Sequence, residues 1–115
     1  MTVQAVFDQL YELRPAGYDE SGLLARLTEL ENTIATEVHF EEGPIAPLTR
    51  NSTLRVGGSY GSLYLYYLLA QIDLNDMEEA RYAADAAMYA DRYQEYAAWY
   101  RRTHRPAHGA QVTLC

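Results

Sequence analysis

Residues 62–74 read SLYLYYLLAQIDL, an aliphatic run carrying three tyrosines and almost no polar face. Its first half alternates as a strand would. Leu65, Leu68, Leu69 and Ile72, however, fall at i, i+3, i+4 and i+7, and Ala70 and Gln71 carry the pattern past an ordinary strand length. A helix is expected, with Ser62 as its N-cap. Tyr64, Tyr67 and Gln71 occupy one flank and Tyr66 another, so this helix is apolar or aromatic nearly all round and needs neighbours on several sides.

The rest of the chain supplies them. Thr2 can cap a first helix in which Val3, Val6, Phe7, Leu10 and Leu13 recur at steps of three and four, stopped near Pro15 and Gly17. Asp19 or Ser21 opens a second, with Leu23, Leu24, Leu27, Leu30, Ile34 and Val38 as its apolar stripe and Glu29, Glu31 and Glu37 off that stripe. Gly43, Pro44 and Pro47 end it, and residues 43–61 read as a long loop with a short extended piece at Thr53–Val56. Asn75-Asp76 makes a tight turn after the tyrosine-rich helix, and a fourth helix is expected from about Met77 to Thr103, before Pro106. The fold class is therefore all-α: a small four-helix domain over residues 1–106, with a long loop between helices 2 and 3 and an extended tail over 107–115.

On the fourth helix Tyr82, Ala86, Tyr89, Tyr93, Tyr96 and Tyr100 repeat in alternating steps of four and three, flanked by Ala80, Ala83, Ala84, Ala87 and Ala90. Such a stripe can be core. Eleven tyrosines against two phenylalanines is nonetheless a biased choice, and tyrosine suits a contact that is apolar in its body and wet at its rim. With Tyr64, Tyr66 and Tyr67, the seam residues Tyr82, Tyr89, Tyr93, Tyr96 and Tyr100 are expected at subunit interfaces. A chain of 115 residues buries only about two-thirds of its unfolded surface, and further apolar surface is best hidden between copies.

Sixteen acidic residues face nine basic ones, all of them arginine, for a net charge of −7. That balance lacks the basic footprint of a general nucleic-acid binder. The charge is uneven: residues 1–95 hold every acid and six arginines, and Arg101, Arg102 and Arg105 cluster after them. Cations there complement a helix C-terminus, and the same polarity suits head-to-tail stacking of subunits. The single cysteine, Cys115, allows neither an intrachain disulfide nor a cysteine-based zinc site. The start MTVQAVFDQL lacks a signal-peptide pattern, and no run approaches the ~20 apolar residues of a bilayer span, so a soluble protein made in a reducing cytoplasm is expected.

Catalytic chemistry finds little footing. A phosphate loop of Walker type needs a lysine, and the chain has none, so GGSYG at 57–61 reads as a lead-in to a helix. His39 in EVHFEE lacks a second histidine at i+4 and reads as a helix-end residue. Asp73, Asn75 and Asp76 fall short of a calcium loop because Met77 and Glu78 stand where a ligand and a glycine belong. Asn51-Ser52-Thr53 is formally a glycosylation sequon but, without a secretion signal, plain loop. His104 and His108 have no evident partner. No nucleophile, base and orienting group come together, so no enzyme, cofactor or metal is expected.

From Ser62 to Pro106 the chain resembles the C-terminal half of the head-to-tail connector, or adaptor, proteins of tailed bacteriophages. The resemblance rests on Leu63–Leu68, Ala70–Asp73, Glu78–Tyr82 as Glu-x-x-Arg-Tyr, Met88-Tyr89, the aromatic repeat Tyr93–Tyr100 and the closing Tyr100–Pro106. Residues 2–40 are similar in organisation only, and TLRVGGSYG (53–61) departs from the compact lead-in of the family. The resemblance implies a virion protein of the particle neck: a homo-oligomeric ring, a dodecamer in this family, seated between the portal protein and a stopper or tail component and passing DNA through its channel without gripping it. It also implies that the C-terminal segment meets the portal. Gln111, Val112, Thr113 and Leu114 alternate as an edge strand would, and Arg101, Arg102 and Arg105 would dock the root of that tail. A tetratricopeptide-like interaction module is the alternative, since residues 63–90 look like one helical hairpin, although a solenoid needs about three such repeats.

Overall fold

The computed structural model describes residues 1–15 and 18–104. It is all-α, with helices α1 (Val3–Leu13), α2 (Glu20–Glu37), α3 (Ser62–Asn75) and α4 (Glu79–Thr103). α3 is the axle of the fold and packs against α1, α2 and α4. Leu63, Tyr64, Leu68, Leu69, Ala70 and Ile72 are all buried along it, on several faces, as its all-round apolarity requires.

The chain runs up and down. Arg14, just after α1, reaches Asp73 near the end of α3, and Met1 abuts Gly61 at the start of α3, so α1 and α3 are parallel. Glu31 and His39, in and just after the second half of α2, meet Tyr64 and Tyr96, so α2 opposes α3 and runs with α4. Gly61 lies against the Met1 side chain: a Cβ there would stand 2.9 Å from its thioether, a contact that the flexible methionine can relieve by moving.

Thr2 caps α1 as expected, its hydroxyl accepting from the Ala5 amide at 3.2 Å. The next orphan amides of that helix donate to the loop: Val3 N–H to Ser52 C=O and Gln4 N–H to Arg50 C=O. The loop of residues 38–61 thus has fixed partners. Leu48 N–H donates to the Thr28 hydroxyl and Ile45 N–H to Asn32 along α2, while Leu54 and Val56 enter the core. The expected extended piece at Thr53–Val56 makes a single bridge, Thr2 to Thr53, and no named strand.

Several local expectations are corrected. Ser62 is the first residue of α3 and not its cap, because the chain enters through a 3₁₀ turn at Gly58–Tyr60 with Gly61 already helical. Leu13 lies half exposed outside the core, since it is Arg14 that turns inward. α4 begins at Glu79 and not Met77: Met77 adopts φ +60 and closes α3 by donating to Leu74 C=O, while Glu78 N–H donates to Asp73 C=O. That is a Schellman closure with methionine in the usual place of glycine. Phe40, after α2, likewise sits at φ +56.

Candidate functional site

Glu31 organises one end of the bundle. Expected outside the apolar stripe, it is 0% exposed. One carboxylate oxygen accepts the Tyr64 hydroxyl at 2.6 Å, and the other accepts the Arg55 amide at 2.7 Å and its guanidinium at 3.4 Å. The Tyr64 oxygen in turn accepts the Val56 amide at 3.0 Å. Burial, then the Glu31 charge, pushes the Tyr64 phenol far above its ordinary value, so it stays a donor. Arg55 closes the network by a two-pronged contact to Glu41, both prongs at 2.8 Å. That pairing raises the guanidinium's pKa and lowers that of the Glu41 carboxyl. A buried carboxylate whose oxygens are all used holds residues 53–57 onto α2 and α3.

Beside this network opens a cavity of about 750 Å³. Its walls are largely aromatic: Tyr60 from the 3₁₀ turn, Tyr96, Trp99, Tyr100 and His104 from α4 and its end, with His39 and Arg55 on the loop side. Tyr100 is sandwiched between two imidazoles, His39 at 4.2 Å and His104 at 3.8 Å between centroids, both nearly parallel to it. Trp99 meets Tyr60 at 5.7 Å and His104 edge-on at 5.9 Å. His39 Nε2 lies 2.6 Å from the Tyr96 hydroxyl, and its Nδ1 is 3.4 Å from Glu41. A carboxylate can only accept, which assigns the neutral ring's proton to Nδ1 and makes Tyr96 the donor to Nε2. Burial lowers the His39 pKa against the pull of Glu41, keeping the ring neutral near pH 7.

The opposite end is charged. Asp73 is wholly buried, with Arg14 at 3.3 Å and Arg81 at 3.8 Å, and Asp85 stands 3.6 Å from the same Arg14. The buried Asp85 Oδ2 has no hydrogen-bond partner, and burial next to the Asp73 charge pushes the Asp85 pKa up to about 6. These residues tie α1, α3 and α4 together. Among the described residues no cluster of histidine, cysteine and carboxylates could hold a metal, and no helix is long and apolar enough to cross a membrane.

The tyrosines separate into two groups. Tyr64 (0% exposed) and Tyr96 (3%) lie inside the subunit, which corrects the expectation that they face another copy: their rings fill the core and their hydroxyls are bound internally. Tyr66, Tyr67, Tyr82, Tyr89, Tyr93 and Tyr100 are half-buried. Tyr67 meets Tyr89 at 5.2 Å between α3 and α4, Tyr89 meets Tyr93 at 5.9 Å, and the Tyr93 hydroxyl donates to Glu37 at 2.9 Å. Burial pushes the Tyr89 and Tyr96 phenols up to about 12. Much of the seam therefore joins α4 to the rest of the fold. Arg101 and Arg102 are exposed, while Arg105 and Gln111, Val112, Thr113 and Leu114 lie outside the described residues.

His104, expected to lack a partner, stacks on Tyr100; their i, i+4 spacing was the available signal. His39 is more than a helix-end residue, since it reaches α4 from the far side of a turn. No family model, no curated protein and no solved structure matches this chain.

Proposed function

We propose that this chain is a structural connector subunit that works as a ring of identical copies, the head-to-tail adaptor of a tailed phage, lying between portal and stopper or tail and continuing the DNA channel. The observation that carries the reading is the state of α4. This 25-residue helix buries only Tyr96 and Ala97 fully, and Ala80, Ala83, Ala84, Ala87, Ala90 and Ala98 stand exposed on it. Small residues let another backbone approach closely, and a helix this long with so little cover offers more contact surface than its own core consumes.

Charge supports the same reading. Glu78 and Glu79 open α4 and Arg101 and Arg102 close it, so this helix carries opposite charge at its two ends, which suits a heterologous ring contact between different patches. The net charge of −7 fits a channel wall along which DNA slides. A tetratricopeptide-like module would stack further hairpins on both sides of this one. Here α1 and α2 already cover α3, leaving α4 as the available surface.

Light scattering after size exclusion, with negative-stain images of the purified protein, tests the proposal. Closed rings that attach to portal-bearing heads are the expected result. A monomer at every concentration, absent from particles, would overturn it.

A further inference from the structure

Met77 is 85% exposed and occupies a left-handed backbone position where glycine would serve the closure of α3 without strain. Among the described residues its side chain is largely uncovered. Leu74, three residues earlier, is 56% exposed, and Asp76, Glu78 and Glu79 stand around the turn; Arg81 pairs with Glu78 at 3.5 Å, and the turn keeps a net negative charge from the other two. The α3–α4 turn is thus an apolar knob with an acidic collar.

The aromatic cavity at the other end is its counterpart in shape and charge. Tyr60, Trp99, Tyr100 and His104 offer ring faces and edges, surroundings that favour a methionine sulfur. At about 750 Å³ the cavity takes the tip of a turn and not merely one side chain. Arg55 on its wall is already engaged by Glu31 and Glu41, so the positive charge open to a partner comes from Arg101 and Arg102, exposed on α4 beside Trp99 and Tyr100.

We propose that the Met77 turn of one copy inserts into the aromatic cavity of a second copy of this chain, with its acidic collar against Arg101 and Arg102. The contact rests on the ring reading above and deepens it by naming the two surfaces that join. It is heterologous, so it propagates from copy to copy until a ring closes. Tyr60 and Met77 bracket α3, and at 1.5 Å per residue the two surfaces lie about 25 Å apart, the chord between successive contacts in the ring.

The experiment uses the full chain and two variants, Met77→Gly and Trp99→Ala. Met77→Gly removes the knob while suiting the left-handed position, so its melting temperature stays level or rises and its folding is not in question. Its assembly should require a protein concentration higher by roughly tenfold or more. Trp99→Ala damages the cavity and leaves the knob. Each variant alone should run as a monomer where the wild type assembles, and an equimolar mixture should form a two-chain species and stop there, since one intact knob meets one intact cavity. Wild-type assembly with Met77→Gly assembling equally well overturns this contact and leaves the ring reading standing, as does a mixture that stays monomeric. A wild type that never assembles overturns both.

Discussion

The two ends of the bundle are held by opposite means. At the aromatic end one buried carboxylate, Glu31, spends its oxygens on Tyr64 and Arg55, and the remaining order comes from stacked rings. At the charged end two carboxylates share Arg14, with Arg81 reaching Asp73 alone, and Asp85 is left with a buried oxygen that has no hydrogen-bond partner. A satisfied polar network positions its surroundings, whereas an incompletely satisfied one carries a cost that pH can change. The cavity lies at the well-satisfied end, where fixed walls are possible.

The largest break of this contrast is Glu31→Ala. It orphans two buried donors, the Tyr64 hydroxyl and the Arg55 amide, at about 1–3 kcal/mol each, so urea unfolding should show a loss near 3 kcal/mol. Trp99, the only tryptophan, should change its fluorescence as the loop of residues 53–57 loosens. A loss below about 1 kcal/mol would mean that the network does not anchor that loop.

At the charged end Asp73→Asn should cost less, about 2 kcal/mol, because losing the charge-assisted contacts to Arg14 and Arg81 is partly offset by relief of Asp85. Trp99 fluorescence of the folded state should not move, since the cavity is at the other end. If both variants cost the same and both shift the fluorescence, the ends are not separate units.

The helical frame was legible because stripes such as Val3, Val6, Phe7 and Leu10, and Leu65, Leu68, Leu69 and Ile72, need only local periodicity. Glu31 is hidden from a sequence reading by its charge: on a helical wheel it falls between Val38 and Leu24, inside the stripe, and its distant partners Tyr64 and Arg55 offset the cost of burial. The same holds for His39, whose partners lie about sixty positions away on α4. Tyr64 and Tyr96 were assigned to an interface because composition shows an excess of tyrosine but not which hydroxyls find partners within the chain. Met77 and Phe40 were opaque for another reason. Glycine is what marks a left-handed helix end in a sequence, and neither end has one.

The two ends should also answer pH with opposite signs. His39 has a lowered pKa in the folded chain, so its contribution is present above the ordinary imidazole value near 6.5 and lost as pH falls through the lowered one. Asp85 is raised to about 6, so its contribution is full below the ordinary carboxyl value near 3.9 and lost as pH rises through 6. Between pH 7 and 5 the two partly cancel. Asp85→Asn removes one side of the balance, which should stabilise the chain at pH 7.5 by on the order of 1 kcal/mol and make its stability fall more steeply than wild type down to pH 5. A shallower fall would show that Asp85 is not the opposing group.

The smallest expected effect compares the two left-handed helix ends directly. Phe40 is 74% exposed at φ +56, so its ring contributes little burial, while its backbone bears the left-handed penalty of roughly 1–2 kcal/mol. Glycine removes that penalty but loses about 0.5–1 kcal/mol more chain entropy on folding. Phe40→Gly should therefore gain only about 0.5 kcal/mol in chemical denaturation. Met77→Gly should gain a similar amount, since the same terms apply at φ +60. The neighbours of Phe40 sharpen the test: Glu41 N–H donates to Ala35 C=O at 2.8 Å across the residue, and glycine can keep that bond, whereas alanine would retain the strain without the ring. Phe40→Gly above wild type and Phe40→Ala level with it is the expected order. Phe40→Ala falling clearly below wild type would show that the ring packs within the subunit, and the two ends would then differ in kind.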